Sequence, residues 1–248
     1  MSKNQNLVTQ KSGLSTNVIL TVVVVVVAVL VIGGVLLFNR SGDSGGGAGS
    51  GQPPVPAEVL RKPDSNVLTE APDGKVTVTE FLDYQCSSCH GYYTQITKKL
   101  EQDYAGRITF VTRNYPLQMH PLGQSAARAA EAAALQGKYK EMYHALFDNW
   151  AAWATEGQEL NSDEAKANAQ FEKFAQQIGL DVNRFKQDMV SPNVQSKIDR
   201  DVADGGTAGV SSTPTIFVNG RQFDMGNAQT LGDVDQKLRK QLDQELAK

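Results

Sequence analysis

A mixed α/β domain with a helical insertion, preceded by one transmembrane helix, is the architecture this 248-residue sequence predicts, on three observations. An uncharged apolar run covers Val18 to Phe38. Strand-like segments occur at three places far apart in the chain, and the first runs straight into the only two cysteines, Cys86 and Cys89. Roughly a hundred residues of helical character separate the second segment from the third.

The apolar run is dominated by valine, leucine and isoleucine, with six consecutive valines at Val22 to Val27. At a rise of ~1.5 Å per residue it covers the ~30 Å hydrocarbon core of a bilayer. A soluble core helix would show a polar face, and this one has none. A secretory signal peptide is the competing reading, but its apolar region is ordinarily ~7 to 15 residues long and closes on a small-x-small cleavage site, which is missing here. An uncleaved signal-anchor is therefore expected. Lys3 and Lys11 lie before the helix and Arg40 directly after it. This predicts residues 1–17 in the cytoplasm, 18–38 across the membrane and the rest of the chain on the extracytoplasmic side. Residues 39–57 are rich in Gly, Ser and Pro (Gly45-Gly46-Gly47, Pro53-Pro54, Pro56), the composition of a flexible linker.

Residues 58–248 are expected to form the folded domain. Val76, Thr77, Val78 and Thr79 lie within Lys75 to Leu82, a run of β-branched residues with the period of a strand. A second strand is predicted over Arg107 to Val111. Thr215 to Val218, then Asn219-Gly220 and Arg221 to Phe223, is predicted to be a hairpin with a two-residue turn. The insertion, about residues 121–200, contains the alanine-rich run Ser125 to Gln136, closed by Gly137, and Phe171, Phe174, Ala175 and Ile178 at helical spacing before Gly179. Leu231, Val234, Leu238 and Leu242 predict a closing amphipathic helix.

The formal net charge of −3 and the absence of a basic run argue against nucleic acid as a partner. Cys86 and Cys89 enclose only Ser87-Ser88, and a bridge over so short a loop is a poor staple but a plausible reactive centre. A strand before the pair and helical sequence after it put Cys86 at a helix N-terminus, where free N–H groups and the dipole favour a thiolate. Cys86 is then the attacking or attacked sulfur, and Cys89 resolves the mixed disulfide. Zinc is disfavoured because no second cysteine pair exists and only His90, His120 and His144 could add ligands. Cys86 to His90 also spells a c-type haem attachment signal, with Met119, Met142 or Met225 as a second axial ligand. The preceding strand and the later Thr-Pro-Thr argue against it.

Several segments taken in order carry a family resemblance: Glu80 to Cys89, Arg113-Asn114-Tyr115-Pro116-Leu117, His120-Pro121 with the alanine-rich helix, and Ser212-Thr213-Pro214-Thr215. Together they resemble the DsbA family of extracytoplasmic thiol-disulfide oxidoreductases, in the membrane-anchored form of Gram-positive bacteria and actinobacteria. The resemblance implies a thioredoxin-like fold and a cis Thr213–Pro214 peptide facing the cysteines, with the Thr213 backbone free to pair with substrate. Glu80 matches a family position beneath the active site. Strand alternation puts it on the face of Val76, Val78 and Leu82, where a raised pKa would let it exchange a proton with Cys89. Where strongly oxidising members carry Pro-His between the cysteines, this chain has Ser87-Ser88, which adds no charge to hold the thiolate.

The function expected is the introduction of disulfides into reduced exported proteins by the Cys86–Cys89 pair, with no cofactor. The resemblance implies reoxidation by a quinone-linked membrane protein. The open alternatives are a reductase or isomerase on the same fold, a membrane-anchored haem electron carrier, and a peptide-binding chaperone in which the cysteines are incidental. His90, His120 and His144 are read as helix or loop residues, and Trp150 and Trp153 as residues of the insertion core or a groove.

Overall fold

The structure, a computed structural model, describes residues 53–248, so the predicted anchor at 18–38 and residues 39–52 of the predicted linker lie outside the described residues. Among those described, no helix is long and apolar enough to cross a membrane.

The chain begins with a short helix α1 (Ala57–Leu60) and an edge strand β1 (Asn66–Thr69). Next comes β2 (Thr77–Leu82), whose last five residues are all buried, because it lies at the centre of the sheet. A broken helix follows: α2 (Ser87–Tyr92), a π-helical turn (Tyr93–Thr97) and α3 (Lys98–Asp103). This helix returns the chain to β3 (Thr109–Asn114), parallel to β2 with Glu80 opposite Thr112. A single strand-helix-strand crossover of this kind is what a parallel neighbour requires.

The insertion then runs through α4 (Gly123–Ala134), α5 (Tyr139–Asp148), α6 (Trp150–Trp153), a two-residue ribbon of β4 (Thr155–Glu156) and β5 (Glu159–Leu160), α7 (Glu164–Gln177), α8 (Val182–Met189) and α9 (Pro192–Thr207). Asp163, Asp181 and Ser191 cap the last three with side-chain oxygens, each accepting a main-chain N–H in the first turn. Ala126, Ala129, Ala130 and Ala133 are wholly buried, and their small side chains let α5, α7, α8 and α9 close around α4. Each fully buried Phe or Leu contributes about 1.5–3 kcal/mol. Phe147, Phe171, Phe174, Phe185 and Leu146 are the insertion's share of the large core it forms with one face of the sheet.

β6 (Thr215–Val218) pairs antiparallel with β2 and turns into β7 (Arg221–Gln222), and α10 (Leu231–Leu246) closes the chain. Asn219 (φ 47°) and Gly220 (φ 83°) both adopt left-handed backbone, the conformation a two-residue hairpin turn needs and Asn-Gly supplies. The sheet order is β1-β3-β2-β6-β7. Its two faces differ. Val78 and Leu82 join Phe110, Ile216, the helix after the cysteines and the insertion in the large core. Phe81 and Phe217 face the other way, onto Leu60 and Val210. The first described residues lie along the hairpin, where the Val55 N–H donates to the Gly220 carbonyl at 2.8 Å and Arg113 Nη1 donates to the Val59 carbonyl at 2.8 Å.

Candidate active site

β2 ends at Leu82, and Cys86 is the N-cap of α2, in extended conformation (φ −66°, ψ 122°). The Cys86 N–H donates to the Asp83 carbonyl, and its own carbonyl accepts the His90 N–H at 3.0 Å, the first bond of the helix. Both cysteines are free thiols; Cys86 is 6% exposed and Cys89 wholly buried. One sulfur thus meets the surface, and the other lies beneath it.

Thr213–Pro214 is a cis peptide just before β6, and β2 and β6 are paired neighbours. Their pairing brings the Thr213 carbonyl to 3.4 Å from Cys86 Sγ, whose thiol donates to it. Thr213 Oγ1 is buried without a hydrogen-bond partner, so it is a donor available to a Cys86 thiolate. The hydrogen bond from the Cys89 thiol is the largest cause pulling the Cys86 pKa down to about 5. Burial opposes the shift, while the main-chain N–H groups of Cys89 and Ser88 and the Thr213 hydroxyl add to it. The Cys89 pKa is pushed well up, chiefly by burial and further by Cys86 and by the charge of Glu80. Two sulfurs three residues apart are thereby split into a nucleophile and a proton holder.

Glu80 lies 1% exposed in the middle of β2, on the face it shares with Val78 and Leu82. Burial, and then the Cys86 charge, raise its pKa to about 8. Its Oε2 has no partner, and the buried hydroxyls of Tyr92 and Tyr143 are likewise unpartnered. The raised pKa of each of these tyrosines has the Glu80 charge among its causes. Glu80 is therefore a carboxylic acid at neutral pH within electrostatic reach of Cys89.

The segment between β2 and the cysteines carries part of the resemblance, but the roles of Asp83 and Gln85 within it emerge only from the structure. The buried Asp83 carboxylate accepts the main-chain N–H of Gln85 (2.8 Å) and of Leu117 (2.7 Å), and pairs with His120 Nδ1 at 2.6 Å. His120, read as a loop residue, thus belongs to this scaffold. Gly123 follows from the same contact, since a Cβ there would lie 2.7 Å from Asp83 Oδ1. The Trp150 indole N–H donates to the Tyr84 carbonyl, and its ring stacks on His90 at 4.9 Å. Burial lowers the His90 pKa. His144 sits apart from the sulfurs, between Tyr93 and Glu101. Among the described residues no group of three or more His, Cys, Asp or Glu side chains is arranged to hold a metal ion. Beside the cis peptide, a cleft of about 500 Å³ is lined by Pro214, Thr215, Phe223, Asp224 and Met225, among others.

A thioredoxin family model matches residues 67–238. Among curated proteins, the chain is 34% identical over 161 residues to Na(+)/H(+) antiporter NhaA 3 of Salinispora tropica, covering 64% of this chain and 22% of that protein. It is 32% identical over 174 residues to the NhaA antiporter of Herminiimonas arsenicoxydans, covering 69% and 24%. The matched stretch thus spans about a quarter of the length of these relatives. Among solved structures, a thioredoxin-like oxidoreductase of Silicibacter pomeroyi aligns with a TM-score of 0.57 at 26% identity, covering 76% of this chain and 99% of that one. Oxidised BdbD of Bacillus subtilis aligns with a TM-score of 0.59 at 21% identity (75% and 94%), and α-DsbA1 of Wolbachia pipientis with 0.59 at 19% (76% and 94%). The last two share the fold.

Proposed function

We infer that this chain, which belongs to the thioredoxin family, is a thiol-disulfide oxidoreductase that donates the Cys86–Cys89 disulfide to reduced exported proteins. The observation that carries this reading is the split between the two sulfurs. Cys86 is stabilised as a thiolate at the rim, whereas Cys89 is buried and kept protonated above Glu80. A Cys86 that leaves readily as a thiolate makes the dithiol form stable and the disulfide a good oxidant.

The substrate thiolate attacks Cys86 Sγ of the disulfide, the S–S bond breaks, and Cys89 departs with the electron pair. Cys89 takes a proton from the Glu80 carboxyl. A second substrate thiolate then attacks the substrate sulfur of the mixed disulfide, and Cys86 leaves as a thiolate. Two electrons have moved from substrate to enzyme, and the substrate holds a new disulfide. The Thr213 main chain and the cleft beside Pro214 are where an extended substrate segment would lie. Reoxidation requires a two-electron oxidant, a role that the family resemblance assigns to a quinone-linked membrane protein. The apolar run at 18–38 supports a single-pass anchor, and Lys3 and Lys11 before it support an extracytoplasmic domain. The ion antiport in the names of the curated relatives belongs to proteins of which the matched stretch is about a quarter.

Ser87-Ser88 favours a second reading, a reductase or isomerase, because neither hydroxyl brings a positive charge to Cys86. Equilibrating the full chain in detergent with glutathione buffers decides between them. A potential near ~−120 mV supports the donor, and one near ~−270 mV the reductase. The absence of any reversible two-electron couple overturns both. Protease added to intact cells tests the orientation: digestion of residues 53–248 supports the extracytoplasmic side, and protection refutes it.

A further inference from the structure

Gln85 stands one residue before Cys86 and is wholly buried, an unusual place for an amide. Nε2 donates to the Ala154 carbonyl at 3.0 Å and to the Asn161 carbonyl at 2.8 Å, while Oε1 accepts the Leu122 N–H at 2.6 Å. Both amide donors are thus engaged, and the oxygen holds a third group. The partners are main-chain atoms from three separate places in the insertion: Leu122 precedes α4, Ala154 follows α6 and Asn161 follows β5. Two residues earlier, the Asp83 carboxylate grips the Gln85 N–H, so residue 85 is fixed through both its main chain and its side chain.

We propose that Gln85 is a positioning residue of the redox centre, which locks the helical insertion to the chain entering Cys86 and so holds that sulfur over the N–H groups of α2. The proposal rests on the thiol-disulfide reading above. Gln85 touches neither sulfur; it acts by fixing the residue whose carbonyl is bonded to the Cys86 nitrogen. The side chain is specific to the task. Leucine, branched one carbon nearer the main chain, keeps an apolar bulk in the site but offers neither donor nor acceptor. Glutamate keeps the acceptor for Leu122, yet turns its second oxygen onto two carbonyl oxygens unless it is protonated. Its own proton would then restore one of the two lost donor bonds. Asp83, the nearest charged side chain in the segment, is already committed to Leu117, His120 and the Gln85 N–H.

The test compares the full chain in detergent with Gln85→Leu, Gln85→Glu and, as a control away from the cysteines, Asn66→Ala, which removes a bond to Glu131. The readouts are the equilibrium with glutathione and the thiolate absorbance of Cys86 across pH. Gln85→Leu is expected to weaken oxidation about tenfold, ~30 mV more negative, and to titrate Cys86 at higher pH. Asn66→Ala is expected to lose stability and leave both readouts unchanged. Gln85→Glu is expected to behave as Gln85→Leu at alkaline pH and to return towards the parent in acid, which a purely structural defect would not do. A folded Gln85→Leu variant with the parent potential and Cys86 titration overturns the proposal. Should Gln85→Leu not fold, a Gln85→Glu variant that tracks the parent at every pH overturns it instead. A parent chain without a reversible couple overturns the functional reading, a distinct failure.

Discussion

Replacing Glu80 by glutamine keeps the shape of the side chain and removes its charge, which isolates the proton held beneath the cysteines. An ordinary glutamate titrates at 4.5, whereas burial, with the Cys86 charge added, raises Glu80 to about 8. Between these values the unfolded chain has released the proton and the folded chain retains it. The unfolded state therefore binds fewer protons, and stability falls as pH rises through that window. At about 1.4 kcal/mol per pKa unit, the cost is about 3 kcal/mol at neutral pH and levels off near 5 kcal/mol above pH 8. The amide of the variant would face the same unpartnered surroundings as protonated Glu80, so the polar burial cost largely cancels. Glu80→Gln should therefore stabilise the dithiol form by about 3 kcal/mol at pH 7, roughly 6–12 °C in Tm for a domain of this size. The assay is urea unfolding of parent and variant, followed by tryptophan fluorescence, from about pH 5 to pH 9. The difference should be small in acid, grow with pH and reach a plateau once the folded carboxyl ionises. A constant difference across the range would refute a protonated Glu80. The same variant should resolve mixed disulfides more slowly, because an amide cannot hand Cys89 a proton.

Three further outcomes are expected. Alkylation of Cys86 in the dithiol form should follow a thiolate titrating at about 5; since this acid is depressed on folding, its stabilising effect is present above the ordinary thiol value and lost as pH falls through about 5. A midpoint near the ordinary thiol value, ~8.5, would contradict the hydrogen bonding assigned to Cys86. Thr213→Val removes the unpartnered hydroxyl beside the sulfur; a hydrogen bond to a charged group contributes about 1.5–3 kcal/mol, so the Cys86 titration should rise by about one to two units. Gly205→Ala, in α9, would set a Cβ 2.7 Å from the Tyr115 ring and 3.1 Å from Phe81, costing about 1–3 kcal/mol in urea unfolding while leaving the redox potential unchanged.

What the sequence disclosed depended on where each signal resides. The β-branched period of Val76 to Thr79 and the Asn-Gly turn are local, and β2 and the β6–β7 hairpin lie within the predicted segments, β2 starting two residues later at Thr77 and β7 ending one residue earlier at Gln222. The second strand extends to Asn114, beyond the predicted Val111, because pairing with β2 rather than composition sets its end. β1 escaped notice, since four residues of mixed character gain their extended form only by pairing with β3. The ribbon at Thr155 to Leu160 is shorter than any periodicity can register. In the site, the cysteine pair announces itself by spacing. Thr213–Pro214, far away in sequence, was legible only through resemblance. Asp83, Gln85 and His120 lie within segments that carry the resemblance, yet their roles could not be read: two of the three Asp83 partners and all three Gln85 partners are main-chain atoms, to which a sequence gives no address.

The seam between the first described residues and the hairpin has a mechanical meaning. A pull applied at residue 53 loads the Val55–Gly220 hydrogen bond first, then the Arg113 grip on Val59 and the packing of Leu60 on Phe81 and Phe217. These links stand on the side of β2 opposite Glu80, and Arg113 is itself braced by Asp201 and Asp204 of α9. Tension entering from the amino-terminal side would thus be grounded in the hairpin and the back of the sheet. The loop from Asp83 to Cys86 lies off that path, so the sulfur could keep its aim while the domain is tugged.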